Sequence, residues 1–432
     1  MTSKIEKSGE RQVIEVHHVT RLEGHGNIYL SLRRGKVEKV EWQVPEAPRF
    51  FEAMVLGRSW EDIQTIVSRI CGICSVTHSL AALKAIENAM GIRVSRQTDR
   101  LRMLTHYAEQ VESHVLHVGY LVAPDLFGMK SVVPLAAASP ELVKLVIRLH
   151  RLGNRWMELL GGRMTHPVTM KPGGFSKLPT EKELLGLKRQ LLDAIPLFQN
   201  VAEAVAGLKD KLPAFERETE YVALVRKGEY TFYHGDIGSS DAPKPHPVAD
   251  FESAVNEYVS PQSTAKWARW HRESYAVGAL ARYNLNSRHL LPLARSAAGM
   301  FGLGLKSCNP FHNSLAQLVE CFQVVEHSLE LLEAQLQAGI RNDKIRINPR
   351  AGEGAGAVEA PRGTLFHRYA FDKKGRCRRA NLCIPTNQNH ANIQKDFEVL
   401  APQIAGRPPE EIRLLLEMLV RAYDPCISCS TH

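Results

Sequence analysis

The chain has 432 residues, 44% of them hydrophobic and 23% charged, a composition that excludes a disordered or fibrous protein. No uninterrupted apolar run of about 18 residues occurs, so no transmembrane helix is expected. The net charge of +9 is spread thinly, and the short basic run 376–379 has no interleaved aromatic residues, so nucleic-acid binding is not expected either.

Hydrophobic periodicity and turn residues predict a mainly helical chain with small sheets near both ends. In chain order, the pattern predicts a strand at 13–15, a hairpin of 27–33 and 36–44, and helices over 79–90, 97–122, 140–160 and 180–212. Residues 228–261 are predicted to form long loops. Later elements are helices over 263–300, 314–337 and 408–421, with a hairpin of 364–371 and 376–384. The predicted fold class is α+β, with a large helical core and small peripheral sheets in a single domain over 1–432.

Four of the eight cysteines form two Cys-x-x-Cys motifs at opposite ends of the chain. Cys71 and Cys74 lie in RICGIC, and Cys426 and Cys429 lie in DPCISCSTH. Each motif lets two thiolates face one ion from a single turn, and four thiolates form a soft site suited to zinc, nickel or iron. The residues alone leave open a structural zinc site, a catalytic transition-metal site and a redox-active dithiol.

Other motifs carry polar residues that a purely structural core would not need, although packing or a solvated loop also explains each one alone. They are RLEGHG with Glu23, His78 just after Cys74, the Ser113-His114 and His117 group with Asp125 beyond it, GGRMTHP, and EAPRG after a predicted glycine-rich loop of Gly352, Gly354 and Gly356.

Together and in this order, RLEGHG, RICGIC with His78, GGRMTHP, EAPRG, the Pro385-Thr386 segment and DPCISCSTH resemble the catalytic large subunit of nickel-iron hydrogenases. The motifs run from Arg21 to His432, so the resemblance covers essentially the whole chain. It implies reversible heterolytic cleavage of hydrogen at a buried centre. It also implies nickel bound by all four motif cysteines, two of which, Cys74 and Cys429, bridge to an iron that carries carbon monoxide and two cyanides.

The resemblance assigns further roles by position. Arg362 would lie over the open side of the metals, and the diatomic ligands would be surrounded by Pro361, Pro385 and Thr386. Glu23 matches the proton-gate glutamate beside the last bridging cysteine. His78 matches the histidine that forms a hydrogen bond to a bridging sulfur, and Asp125 matches the aspartate that supports the site arginine. A magnesium (or iron) ion would be held by Glu52, the backbone carbonyl of Leu382, and His432.

The same resemblance implies partners. It predicts an iron-sulfur small subunit, further electron-transfer subunits, and a maturation protease with nickel-insertion proteins acting on the precursor. No GxGxxG motif follows a predicted strand and no ferredoxin-type cysteine run occurs, so electrons must leave through another subunit. The chain looks most like the cytoplasmic bidirectional (group 3) branch linked to NAD(P). The alternatives are a module feeding a heterodisulfide reductase, a respiratory uptake hydrogenase, and a zinc-bound structural subunit.

Overall fold

Helices dominate the chain, and small antiparallel sheets lie towards both of its ends. The computed structural model describes residues 2–343, 345 and 347–432. The helices are α1 Phe51–Val55, α2 Trp60–Val67, α3 Ser75–Met90, α4 Arg96–Leu116, α5 Ala123–Leu126, α6 Val132–Ala138, α7 Pro140–Gly161, α8 Glu181–Ala206, α9 Phe251–Ala254, α10 Ala279–Asn286, α11 Pro292–Phe301, α12 Asn313–Ala338, α13 Pro385–Ile404, α14 Pro409–Ala422 and α15 Ile427–Ser430.

The strands are short, and most pair with a neighbour in the chain. They are β1 Thr2–Ser8, β2 Arg11–His17, β3 Asn27–Arg33, β4 Lys36–Gln43, β5 Met170–Lys171, β6 Gly174–Phe175, β7 Glu220–Val225, β8 Asp236–Ser239, β9 Asn256–Tyr258, β10 Trp267–Arg269, β11 Tyr275–Ala276, β12 Gly352–Ala360, β13 Gly363–Phe371 and β14 Cys377–Cys383. The two principal sheets have the orders β1-β2-β3-β4 and β12-β13-β14. The predicted α+β class is confirmed.

Both predicted hairpins are present. β3 and β4 pair around Arg34 and Gly35, which have φ angles of 50° and 75°, as a tight hairpin turn requires. The predicted start of α8 is also present, because Thr180 and Glu183 cap each other's backbone N–H groups.

Three element predictions were wrong in part. Residues 263–300 are not helical throughout, because β10 and β11 precede α10 and α11, and short strands rich in aromatic residues were mistaken for a helical pattern. The loop predicted over 228–261 contains β8, α9 and β9. The helix predicted over 97–122 does not stop before Pro124. It widens into a π-helical turn, His117–Val122, and resumes as α5, where the proline occupies the first turn and needs no N–H partner.

The glycine-rich segment is strand β12 rather than a loop, and its glycines face helix α3. A Cβ added at Gly352 would lie 2.2 Å from the Ala89 carbonyl oxygen, and one at Gly354 would lie 2.3 Å from the Ala89 nitrogen. Glycine therefore allows strand and helix backbones to touch. The contact fixes α3, which begins after Cys74, against the strand that leads into EAPRG.

The N-terminal sheet packs on the C-terminal helices α13 and α14. Ile14 and Leu30 of the sheet share one buried cluster with Phe397 and Leu416. The indole nitrogen of Trp42 also donates to Nδ1 of His390, 3.0 Å away. The two ends of the chain are thereby brought together. No helix in the described ranges is long and apolar enough to cross a membrane.

Candidate active site

The four motif cysteines meet at one buried point. Their sulfur atoms all lie within 4.8 Å of one another. Sγ of Cys71 lies 3.6 Å from Sγ of Cys426, and Cys74 and Cys429 are separated by the same distance. Cys426 and Cys429 also lie side by side, so all four sulfurs face one point.

The first pair is held where a helix begins. Cys71 follows a 3-10 turn, and Cys74 is the N-cap residue of α3. Sγ of Cys71 accepts the backbone N–H groups of Ile73 and Cys74 at 3.3 and 3.4 Å. A hydrogen bond from the Cys74 side chain lowers the pKa of Cys71, although burial alone would raise it. The same hydrogen bond, together with burial, raises the pKa of Cys74.

Glu23 reaches the cluster from the N-terminal part of the chain. Its Oε2 lies 3.1 Å from Sγ of Cys426 and accepts the Ser428 N–H at 3.0 Å. Its backbone forms a bridge with Cys426 and accepts the Ile427 N–H. The carboxyl group therefore contacts the first cysteine of the second pair, whereas the resemblance places it beside the last bridging cysteine, Cys429.

Arg362 lies at the tip of a two-residue hairpin. Ala360 pairs with Gly363 across β12 and β13, which leaves Pro361 and Arg362 as the turn. The guanidinium donates to Asp424 at 3.0 Å and to Ser113 at 3.4 Å, while its Nε is buried without a partner among the described residues. Burial alone would lower the pKa of Arg362, but the Asp424 carboxylate and the neighbouring cysteines outweigh it and raise that pKa.

Three comparisons with known proteins bear on this arrangement. A family model described as nickel-dependent hydrogenase matches residues 49–148 and 225–432, and a model described as HoxL-like matches residues 13–47. The chain is 32% identical to sulfhydrogenase 1 subunit alpha of Pyrococcus furiosus over 97% of each chain. It is 30% identical to the NAD-reducing hydrogenase HoxS subunit beta of Cupriavidus necator over 96% of this chain and 93% of that one.

This chain belongs to the nickel-dependent hydrogenases. Its fold agrees with that assignment, because it superposes on a crystal structure of an NAD⁺-reducing [NiFe]-hydrogenase in the H₂-reduced state with a TM-score of 0.88. That match has 27% sequence identity and covers 99% of this chain and 100% of the other. The chain is thus a [NiFe] hydrogenase large subunit and an oxidoreductase, which favours nickel over the zinc and dithiol alternatives.

The residues of this hydrogenase fit a nickel-iron centre. Four soft sulfur donors converge in a buried site, as a thiolate-bound transition metal requires. The buried guanidinium of Arg362 supplies positive charge near them, and its unpartnered Nε leaves a donor free for a ligand. Thr386, one residue into α13, accepts the Cys426 N–H at 3.0 Å, which places Pro385 and Thr386 beside the second cysteine pair.

Asp125 does not support Arg362 in this hydrogenase. It pairs with Arg21 and accepts from Arg421 at 2.8 and 3.1 Å, so it joins the N-terminal segment to α14. The carboxylate on Arg362 is Asp424, which the sequence argument did not single out. The signal was available, because Asp424 lies inside DPCISCSTH, two residues before Cys426.

Nδ1 of His78 has a partner that the resemblance does not name. Its Nδ1 lies 3.2 Å from Nε2 of His367, and Nδ1 of His367 lies 2.8 Å from the hydroxyl of Tyr369. Burial lowers the pKa of His78 to about 3, so both rings are neutral, one donating to the other. His367 and Tyr369 alternate along β13, and no motif in the sequence marked them.

The three groups predicted for the C-terminal metal lie together. Nε2 of His432 is 2.7 Å from the Leu382 carbonyl oxygen and 3.7 Å from Oε1 of Glu52. The same Glu52 oxygen accepts the Leu382 N–H at 2.8 Å. Carboxylate and carbonyl oxygens with one imidazole can complete a magnesium octahedron when waters fill the other positions.

Proposed function

We propose that this hydrogenase cleaves hydrogen heterolytically and reversibly at a nickel ion held by Cys71, Cys74, Cys426 and Cys429. Cys74 and Cys429 would also bind an iron that carries carbon monoxide and two cyanides. When bound, this centre supplies the electrophile on which hydrogen is split, and the protein supplies the base and the route for the proton. The convergence of the four sulfurs supports this ligand set.

The observation that carries the proposed proton route is the contact between Glu23 and Cys426. A carboxylate 3.1 Å from a thiol sulfur is within range for direct proton transfer. The Ser428 N–H on the same oxygen fixes the carboxyl group in that position. Glu23 would accept the proton at Oε2 and pass it towards the surface.

The test of this route is Glu23→Gln, which keeps shape and hydrogen bonding but cannot carry a proton. We expect unchanged nickel content and a fall of roughly 10²-fold or more in hydrogen turnover and in hydrogen/deuterium exchange with solvent. Glu15→Gln is the control, because Glu15 lies on the N-terminal sheet and its carboxylate pairs with His17. Exchange at the normal rate in Glu23→Gln would place the proton route elsewhere.

Arg362 is proposed to cover the open side of the metals and to bind an anionic cyanide. Its guanidinium remains charged and offers several N–H donors in a fork, and an ion pair with Asp424 fixes its position. Pro361, Pro385 and Thr386 are proposed to enclose the diatomic ligands. Infrared bands of metal-bound carbonyl and cyanide, with nickel and iron in roughly equal amounts, test the centre. Zinc alone would contradict it.

Magnesium is proposed for the site formed by Glu52, Leu382 and His432. Its role would be to tie the chain end to β14 and α1, since these ligands come from three separate segments. Elemental analysis of the purified protein, compared with that of Glu52→Ala, tests the metal's identity. Iron in place of magnesium would change the assignment of the ion but not of the ligands.

An iron-sulfur small subunit is the proposed electron acceptor of this centre. Exposed apolar side chains lie in the two segments that contact the region of the Cys71–Cys74 loop, and a stable interface of about 2,000 Å² or more needs such surface. They are Phe50, Met54 and Leu56, close in sequence to Arg49, which donates to the Ile70 carbonyl, and Met164 and Val168, close to Thr165 and His166. Gly72 is itself exposed, and Thr165 and His166 lie against this loop. Co-purification with an iron-sulfur protein is expected, and a lone chain that reduces dyes with hydrogen would contradict it.

The final acceptor is proposed to be NAD(P), reached through further subunits in the cytoplasm. The similarity to an NAD-reducing hydrogenase supports this acceptor. The similarity to a sulfhydrogenase is comparable and is consistent with other acceptors. Hydrogen-dependent reduction of NAD⁺ and NADP⁺ by the purified complex, together with cell fractionation, is the test. A complex that reduces neither nucleotide would favour the heterodisulfide or respiratory alternative.

A further inference from the structure

The hairpin tip that carries Arg362 is clamped by a second arginine. Arg282, on α10, is fully buried and donates to the carbonyl oxygens of Ala360 and Pro361 at 2.8 and 3.0 Å. These are the two residues before Arg362. An arginine that binds consecutive backbone carbonyls where a strand enters a two-residue turn restricts the direction in which the next side chain leaves that turn.

The clamp is itself held rigidly. Nε and one terminal nitrogen of Arg282 form a bidentate pair with Glu320 of α12, at 2.6 and 2.7 Å. A further contact of 3.0 Å goes to Glu359. All five N–H donors of the guanidinium can therefore be matched to acceptors, each of them buried. Glu320 accepts in addition from the hydroxyl of Tyr230 and contacts His114, at 2.7 and 2.8 Å.

The backbone around the tip leaves little room for adjustment. Gly278, directly before α10, has a φ angle of 115°, and a Cβ there would lie 3.4 Å from the Arg362 carbonyl oxygen. Gly363 has a φ angle of 131°, and its Cβ would lie 2.4 Å from the Val277 side chain. The start of α10 thus also touches the turn. Burial opposes the charge of Glu320, but pairing with Arg282 lowers its pKa to about 2, so the clamp keeps its charges near neutral pH.

We propose that Arg282 is a positioning residue that sets the place of the Arg362 guanidinium over the metal site. The proposal rests on the proposed role of Arg362. It distinguishes the two arginines by function: Arg362 faces the reacting centre, and Arg282 acts only through it. Residues that orient an active-site group typically change activity by about 10- to 100-fold when they are replaced.

The test is a double-mutant cycle on the assembled complex, with rates expressed per nickel. Arg282→Lys keeps a positive charge near Glu320, but its three N–H donors cannot replace the five contacts that the guanidinium makes. We expect it to lose about 10- to 100-fold in hydrogen oxidation. It should cause little further loss when Arg362 is already lysine, because residues that act as one unit are not additive. The infrared cyanide bands should shift in Arg282→Lys in the same way as in Arg362→Lys.

Arg102→Lys is the matched control. Arg102 is an equally buried arginine in a bidentate pair with Glu87, and it also donates to a backbone carbonyl, that of Lys171, at 2.9 Å. It should lower thermal stability while leaving the rate per nickel and the cyanide bands unchanged. If Arg282→Lys behaves like this control, Arg282 is structural and the proposal is wrong.

The remaining outcomes are also decisive. Losses that multiply in the double variant overturn the proposal while leaving the role of Arg362 intact. A wild-type rate in Arg362→Lys removes the proposed function of Arg362 and, with it, that of Arg282. If Arg282→Lys does not accumulate as folded protein, Glu320→Gln loosens the clamp more gently, and the same cycle with Arg362→Lys must again be non-additive.

Discussion

The two halves of the proposed active site are built in different ways. The cysteine side consists of two short motifs, each of which places its own sulfurs within one turn of chain. The arginine side depends on groups from separate elements: Arg362 on a hairpin tip, Asp424 before α15, and Arg282 and Glu320 on two helices. Donor atoms can thus be specified locally, whereas the orientation of a charged side chain over them depends on tertiary structure.

A substitution in the cysteine half should remove metal binding and activity completely. Replacing Cys74 or Cys429 by serine should abolish both nickel content and hydrogen uptake, because a serine oxygen is a poor substitute for a thiolate that is proposed to bridge two soft metals. Metal analysis and a hydrogen-uptake assay check this result. Cys308→Ser, at a half-buried cysteine outside the cluster, should retain both properties. Wild-type uptake in Cys74→Ser or Cys429→Ser would end the ligand assignment.

A substitution in the arginine half should reduce the rate of hydrogen turnover only in part. Asp424→Asn removes the negative charge 3.0 Å from Arg362, and we expect a loss of roughly 10- to 100-fold in rate per nickel with the metal retained. Asp125→Asn is the same change at a carboxylate that pairs with Arg21 and Arg421. It should instead lower the free energy of unfolding by about 3–5 kcal/mol, because it breaks a buried ion pair.

Activity and denaturant unfolding measured side by side separate the two aspartates. A rate per nickel that falls in Asp125→Asn but not in Asp424→Asn would restore the assignment that the resemblance gave to Asp125.

The contact between α3 and β12 joins the two halves, and it should show the smallest effect. Gly354→Ala places a Cβ 2.3 Å from a backbone nitrogen, so we expect a loss of about 1–3 kcal/mol in the free energy of unfolding. Gly186→Ala, inside α8, meets no atom within 4 Å and should gain roughly 0.5–1 kcal/mol. Chemical denaturation of both variants is the measurement. Equal values would mean that strand and helix are not in close contact.

The sequence predicted what is local. The hairpins, the capped start of α8, the helix after Cys74 and the motif cysteines follow from turn chemistry, periodicity and spacing over a few residues. The strand Gly352–Ala360 could not be predicted in this way, because its glycines are explained only by their contact with helix α3. Periodicity likewise failed over 263–300, where two- and three-residue strands are too short to leave a pattern.

Side-chain partners over long distances were the least predictable part. The resemblance placed Asp125 beside the site arginine, yet two other arginines neutralise it in the structure. His367 and Arg282 contact groups that lie far from them in sequence, and no spacing rule points to such pairs. That residues 1–432 form one domain stays a prediction.

The bridge between Glu23 and Cys426 spans 403 positions of the chain and has a kinetic consequence. Contacts of such high sequence separation require a large loss of chain entropy before their interaction energy is gained. They therefore form after local structure during folding. In the native state, partial opening of either end would separate the carboxyl group from the sulfur without unfolding the core. The amide of Ile427, which donates to the Glu23 carbonyl at 2.9 Å, is the reporter of that opening in a hydrogen-exchange experiment.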